Sequence, residues 1–103
     1  MTYKEFLTYL EENFDGYAVF MEKAAEFQDA KNQKRPAKSR WKEAKVNKAV
    51  NEMWKKSMQP LYDNLKKAVN SGISYKWIEY IEQHEVLEGL RDSMADLNFG
   101  DVD

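Results

Sequence analysis

Residues 40–70 read RWKEAKVNKAVNEMWKKSMQPLYDNLKKAVN, and the reading of this stretch decides the fold. Val46, Val50, Met53, Trp54, Ser57 and Leu61 share one face at about 100° per residue. The opposite face is polar. With residue 41 at zero on the helical wheel, Lys45, Lys48, Glu52, Lys55 and Lys56 fall within about 60° of it, so Trp41 heads a basic strip. A helix with one apolar and one charged stripe belongs in a bundle, its apolar side against other helices. Pro60 falls inside the pattern. Proline lacks an N–H and its ring crowds the preceding turn. The sequence therefore predicts a break: one helix over 40–58, capped by Ser39, and a second over 60–70 with Pro60 in its first turn. Leu61, Leu65, Ala68 and Val69 continue the stripe in the second piece.

Towards the N-terminus, Thr2 and Glu5 have the spacing of a capping box and open a helix over 3–13. Its apolar positions are Tyr3, Phe6, Leu7, Leu10 and Phe14. Asp15-Gly16 is a turn dipeptide. A second helix over 17–31 follows, with Tyr17, Phe20, Met21, Ala24 and Phe27 on one face. So short a link predicts an antiparallel α-hairpin. Residues 31–39 lack an apolar period and contain Pro36, which predicts an exposed basic loop. Towards the C-terminus, Asn70-Ser71-Gly72 is a stop signal and Ser74 the next cap. Trp77, Ile78 and Ile81 point one way, whereas Leu87, Leu90, Met94 and Leu97 lie about 100° round the wheel. One straight helix over 75–97 cannot bury both sets on one face, so a bend near His84 is expected. Residues 98–103 read as a frayed acidic tail. No run alternates with period two, so no sheet is expected. The fold class is all-α: one domain over 1–103, a bundle of four to six helices beginning with a hairpin.

The charge is segregated. Residues 31–56 hold ten of the sixteen Lys and Arg and only two acids, Glu43 and Glu52. The flanking arms are acidic, and the net charge of −2 hides the contrast. Charge segregation of this kind points to an acidic partner. The candidate contact residues are Lys34, Arg35, Lys38 and Arg40 in the loop, with Trp41, Lys45, Lys48, Lys55 and Lys56 on the helix. Cations would displace counterions from phosphates and an indole can stack on an unpaired base. The same residue types also anchor protein interfaces.

Chemistry is harder to find. The chain has no cysteine, which excludes disulfides, thiolate zinc sites and a cysteine nucleophile. His84 is the only histidine, too few for the usual zinc site. Its residue three before is Ile81, so the Glu-x-x-His pairs of di-iron bundles are absent. Glu85, Glu88, Asp92 and Asp96 share one side of the last helix, but no EF-hand spacing accompanies them. They read as a solvated face or as a row of phosphate mimics. No apolar run is long enough for a membrane span, and the first residues lack the form of a signal peptide. The expected function is non-enzymatic: a small cytoplasmic regulator or inhibitor, without cofactor or metal. It would dock an acidic partner (nucleic acid, nucleoprotein or acidic protein) through residues 34–56. The alternative is an assembly protein in which some of the fourteen aromatics form a homodimer seam. An enzyme using the carboxylate row with a metal is the third reading.

Overall fold

The computed structural model describes residues 1–96, and the tail expected at 98–103 lies outside them. The described residues form five α-helices: α1 (Tyr3–Asn13), α2 (Gly16–Gln33), α3 (Glu43–Val69), α4 (Ser74–Gln83) and α5 (Val86–Ala95). A 3-10 turn, Ala37–Ser39, interrupts the connection between α2 and α3. There are no strands among the described residues.

The expected break at Pro60 does not occur. α3 runs for 27 residues with Pro60 inside it. Its exposed side makes this tolerable, because Pro60 and Lys56 both face solvent. The Lys56 carbonyl, four residues back, loses its helical donor but keeps access to water. The neighbouring Lys55 carbonyl accepts the Tyr3 hydroxyl, which ties α1 to α3. The register of the buried face also differs from the sequence reading. The buried residues are Val46, Val50, Trp54, Met58, Tyr62 and Leu65, spaced by four, four, four, four and three. Ser57 is exposed and Leu61 only half-buried, so Met58 and Tyr62 occupy the core positions that the sequence reading gave to them.

α3 is the spine on which the rest is hung. α1 and α4 pack on its C-terminal half. There Tyr3, Phe6, Tyr62 and Trp77 form one ring cluster, with Tyr62 and Trp77 stacked at 5.1 Å between centroids. α2 runs antiparallel along the N-terminal half, its Phe20 meeting Trp54 edge-on at 5.2 Å and its Asn32 reaching Trp41. The α1–α2 link is as short as a hairpin requires, but both helices find their main partner in α3. Gly16 is needed at that link. A Cβ there would stand 2.2 Å from the buried Phe14 ring. α5 packs across α2 and α4.

The helix starts show where side-chain chemistry acts and where it does not. At α1 the capping box is complete: the Glu5 N–H donates to the Thr2 hydroxyl and the Thr2 N–H to the Glu5 carboxylate. These bonds hold the Glu5 carboxyl below its ordinary range. Ser39 does not cap α3; it ends the 3-10 turn, and Lys42 takes the cap position. Ile73, not Ser74, caps α4. The bend near His84 is present. Glu85 adopts a left-handed conformation, φ 51°, and separates α4 from α5.

The molecule is elongated, 49 × 24 × 21 Å, with a radius of gyration of 15.8 Å. A compact chain of this length would have about 13 Å. The ring cluster and α5 occupy one end. The far ends of α2 and α3 project beyond it as a two-helix arm.

The corrected register gives a direct test. Met58→Ala should lower stability by about 2–5 kcal/mol, since it empties a buried position. Ser57→Ala should change it by less than about 0.5 kcal/mol. Chemical denaturation of the two variants measures both, and the reverse order would restore the register read from sequence.

Candidate basic interface

The arm ends in residues 34–42, and its geometry rests on one side chain. Asn32 lies in the last turn of α2 and is 7% exposed. Its Oδ1 accepts the Trp41 N–H at 2.8 Å, and its Nδ2 donates to the Trp41 carbonyl at 3.0 Å. This two-way clamp mimics a strand pairing and fixes where the chain turns back into α3. Oδ1 also accepts from Arg35 Nη1 at 3.0 Å. Both polar ends of a buried amide are thereby satisfied, as burial demands.

Trp41, expected on the helix at the head of its basic face, is therefore not on it. It lies two residues ahead of α3, half-buried and clamped by its backbone. Its ring serves as a seat for cations. The Arg35 guanidinium lies 3.8 Å from the ring centroid and Lys45 Nζ 4.7 Å from it. Each such contact contributes about 0.5–1 kcal/mol at exposed sites, and together they order two otherwise mobile side chains. Arg40 works differently. Its Nη2 donates to the carbonyls of Gln33 and Arg35, so it closes the C-terminus of α2.

The structure thus brings Arg35, Trp41 and Lys45 together and ties Arg40 beneath them. Lys34 and Lys38 are exposed in the same connection, and Lys48 is exposed on α3. Lys55 and Lys56 are also exposed but lie along the shaft, about 15 Å from Lys45 at the helical rise. Lys55 makes a loose, exposed pair with Glu52 at 3.9 Å. The basic loop begins later than expected, because α2 continues through Gln33. A cleft of about 370 Å³ beside Trp41 includes Asp29, Asn32, Glu43 and Asn47 in its walls, so two carboxylates border the basic surface.

Sequence reasoning missed Asn32. The available signal was a polar residue at the apolar register of α2, directly before a proline-containing turn. The other candidates separate clearly. His84 is exposed at the end of α4, with its ring 4.1 Å from that of Tyr80. Glu85, Glu88, Asp92 and Asp96 are exposed on α5 or its ends. Among the described residues, no three His, Cys, Asp or Glu side chains gather to hold a metal. No helix among them is long and apolar enough to cross a membrane. Comparison of the chain with protein families, curated proteins and solved structures returns no match.

The clamp predicts a local effect. Asn32→Ala leaves the Trp41 amide without its acceptor, a loss of about 1–3 kcal/mol. Amide exchange at Trp41 should speed up at least about tenfold, while amides in the ring cluster at the other end stay protected. Unchanged exchange at Trp41 would show that the clamp does not hold the connection.

Proposed function

We propose that this chain is a non-enzymatic binding module that docks an acidic macromolecular partner through the basic end of the α2–α3 arm. The observation that carries this reading is the seating of Arg35 and Lys45 on the Trp41 ring. An ordinary solvated lysine or arginine loses side-chain entropy when it engages a partner, roughly 2 kcal/mol at most. Cations already ordered on a ring lose less, so the arm is preorganised for an anion. The surrounding Lys34, Lys38 and Lys48 supply long-range attraction, and the acidic α4 and α5 lie at the other end. A module of this kind acts by occupying its partner, which is the working mode of a regulator or inhibitor.

The homo-oligomer reading draws less support. Phe6, Phe14, Phe20, Trp54, Tyr62 and Trp77 are all in the core. The large apolar side chains left exposed among the described residues are Val19 on α2 and Ile73 and Tyr75 at the start of α4.

Charge reversal tests the proposal. Lys45→Glu with Lys48→Glu should abolish capture of the partner from native lysate at physiological salt, while the melting temperature stays within a few degrees, because both residues are exposed. Capture by the wild type should also fall steeply with salt, since exposed charges are screened over about 8 Å at 0.15 M. Capture that survives the reversal and high salt would remove the basic arm from the function.

A further inference from the structure

We infer that the partner recognised by this arm is a nucleic acid, held by its phosphate backbone and not by its bases; the inference rests on the docking role proposed above. Three observations favour phosphates over an acidic protein. The first is the absence of an apolar anchor where the charge is. Protein interfaces draw most of their affinity from buried aromatic or aliphatic side chains in pockets. The exposed apolar residues Val19, Ile73 and Tyr75 lie on α2's first turns and around the start of α4, away from the arm's end. Trp41 is the aromatic residue within the connection, and its ring already carries Arg35 and Lys45.

The second observation is the linear array. Lys45, Lys48, Lys55 and Lys56 are exposed along α3 on one side of the wheel. They span about 16 Å at the helical rise. Duplex DNA presents a phosphate about every 3.4 Å of axis on each strand, so this span covers about five phosphates, which the four lysines meet as two pairs, Lys45/Lys48 and Lys55/Lys56, with Glu52 between them. The third is the chemistry of Arg35. Its Nη1 is used by Asn32, and its plane is set on the indole. A guanidinium fixed in this way keeps a planar fork of donors suited to phosphate oxygens.

The same geometry decides against base stacking. A ring face that seats cations of its own chain is not an open plate for an unpaired base. The arm therefore reads charge and spacing, and it should not distinguish a duplex from a single strand by stacking.

The test uses fluorescence anisotropy with the full chain and three labelled probes: a 20-base-pair DNA duplex, one of its strands, and polyglutamate of similar length. The duplex should bind at low salt, with the strand within about fivefold and polyglutamate at least about tenfold weaker. On the duplex the slope of log K against log salt should be about −4.5 for about five contacts, Arg35 with the four lysines. Arg35→Gln with Lys45→Gln should reduce that slope by about two units. Trp41→Leu keeps every charge but removes the seat, and should weaken duplex binding about tenfold. If circular dichroism showed Trp41→Leu to be unfolded, the glutamine pair would still decide the matter. Polyglutamate binding as tightly as the duplex would overturn the phosphate inference and leave the docking proposal standing. A single strand bound more than tenfold tighter than duplex, with the preference lost in Trp41→Leu, would overturn the backbone mode. No binding to any probe would sink the inference, and the lysate experiment above would then judge the docking proposal independently.

Discussion

The unbroken course of α3 through Pro60 is the constraint on which everything else depends. A helix of 27 residues is about 40 Å long, close to the long dimension of the whole molecule. One end of it is buried by α1 and α4, and the other extends past them with only α2 alongside. A break at residue 59 would let the two halves fold back on one another. The ring cluster of Tyr3, Phe6, Tyr62 and Trp77 would then lose its backing, and the basic arm would lose its lever. Proline is accepted because it sits on the solvent side, where the Lys56 carbonyl that loses its helical donor keeps access to water.

The two ends of the spine solve the packing problem differently. At the broad end there is enough material for a conventional core, and large rings fill it. The Trp77 indole N–H reaches the Ser71 carbonyl at 2.7 Å, and the Tyr62 hydroxyl the Met1 carbonyl at 2.7 Å, so the rings also tie down the chain connections. Inside the bundle Trp54 packs edge-on with Tyr17 and Phe20, while its N–H lacks a conventional partner. At the narrow end two helices alone cannot exclude water from both faces. Polar side chains take over there: Gln28 and Asn32 are buried between α2 and α3, and Asn32 clamps the turn. A surface built on hydrogen bonds and cation–π seats is ordered without being apolar, which suits contact with a charged partner.

Much of this architecture is legible in the amino-acid sequence. The capping box at Thr2 and Glu5 gives the start of α1 directly, because the signal is local and chemical. The bend at His84 follows from two apolar sets that no straight helix could bury together. The basic stretch is plain from composition. What escapes the sequence reading has tertiary causes. Propensity assigns Pro60 to a break because it knows nothing of the solvent side on which Pro60 and Lys56 lie. The buried stripe of α3 advances mostly by four residues and so drifts round the helix, whereas a fixed face at 100° per residue selects Ser57 and Leu61 in place of Met58 and Tyr62. Ser39 has the residue type of a cap, but the 3-10 turn after Pro36 delays α3 by three residues from Arg40 to Glu43. The same delay takes Trp41 off the helix wheel and hands it to Asn32, a contact nine residues apart that no periodicity encodes.

The most direct test of this account measures the spine itself. The chain has no cysteine, so Lys48→Cys and Lys66→Cys accept spin labels uniquely. Both positions are exposed, and 18 residues of helix bring them onto the same side about 27 Å apart along the axis. Double electron–electron resonance should give one narrow distance distribution consistent with that separation. A broad or bimodal distribution, or one centred well below it, would mean that α3 breaks at Pro60 and that the basic arm does not project from a continuous spine.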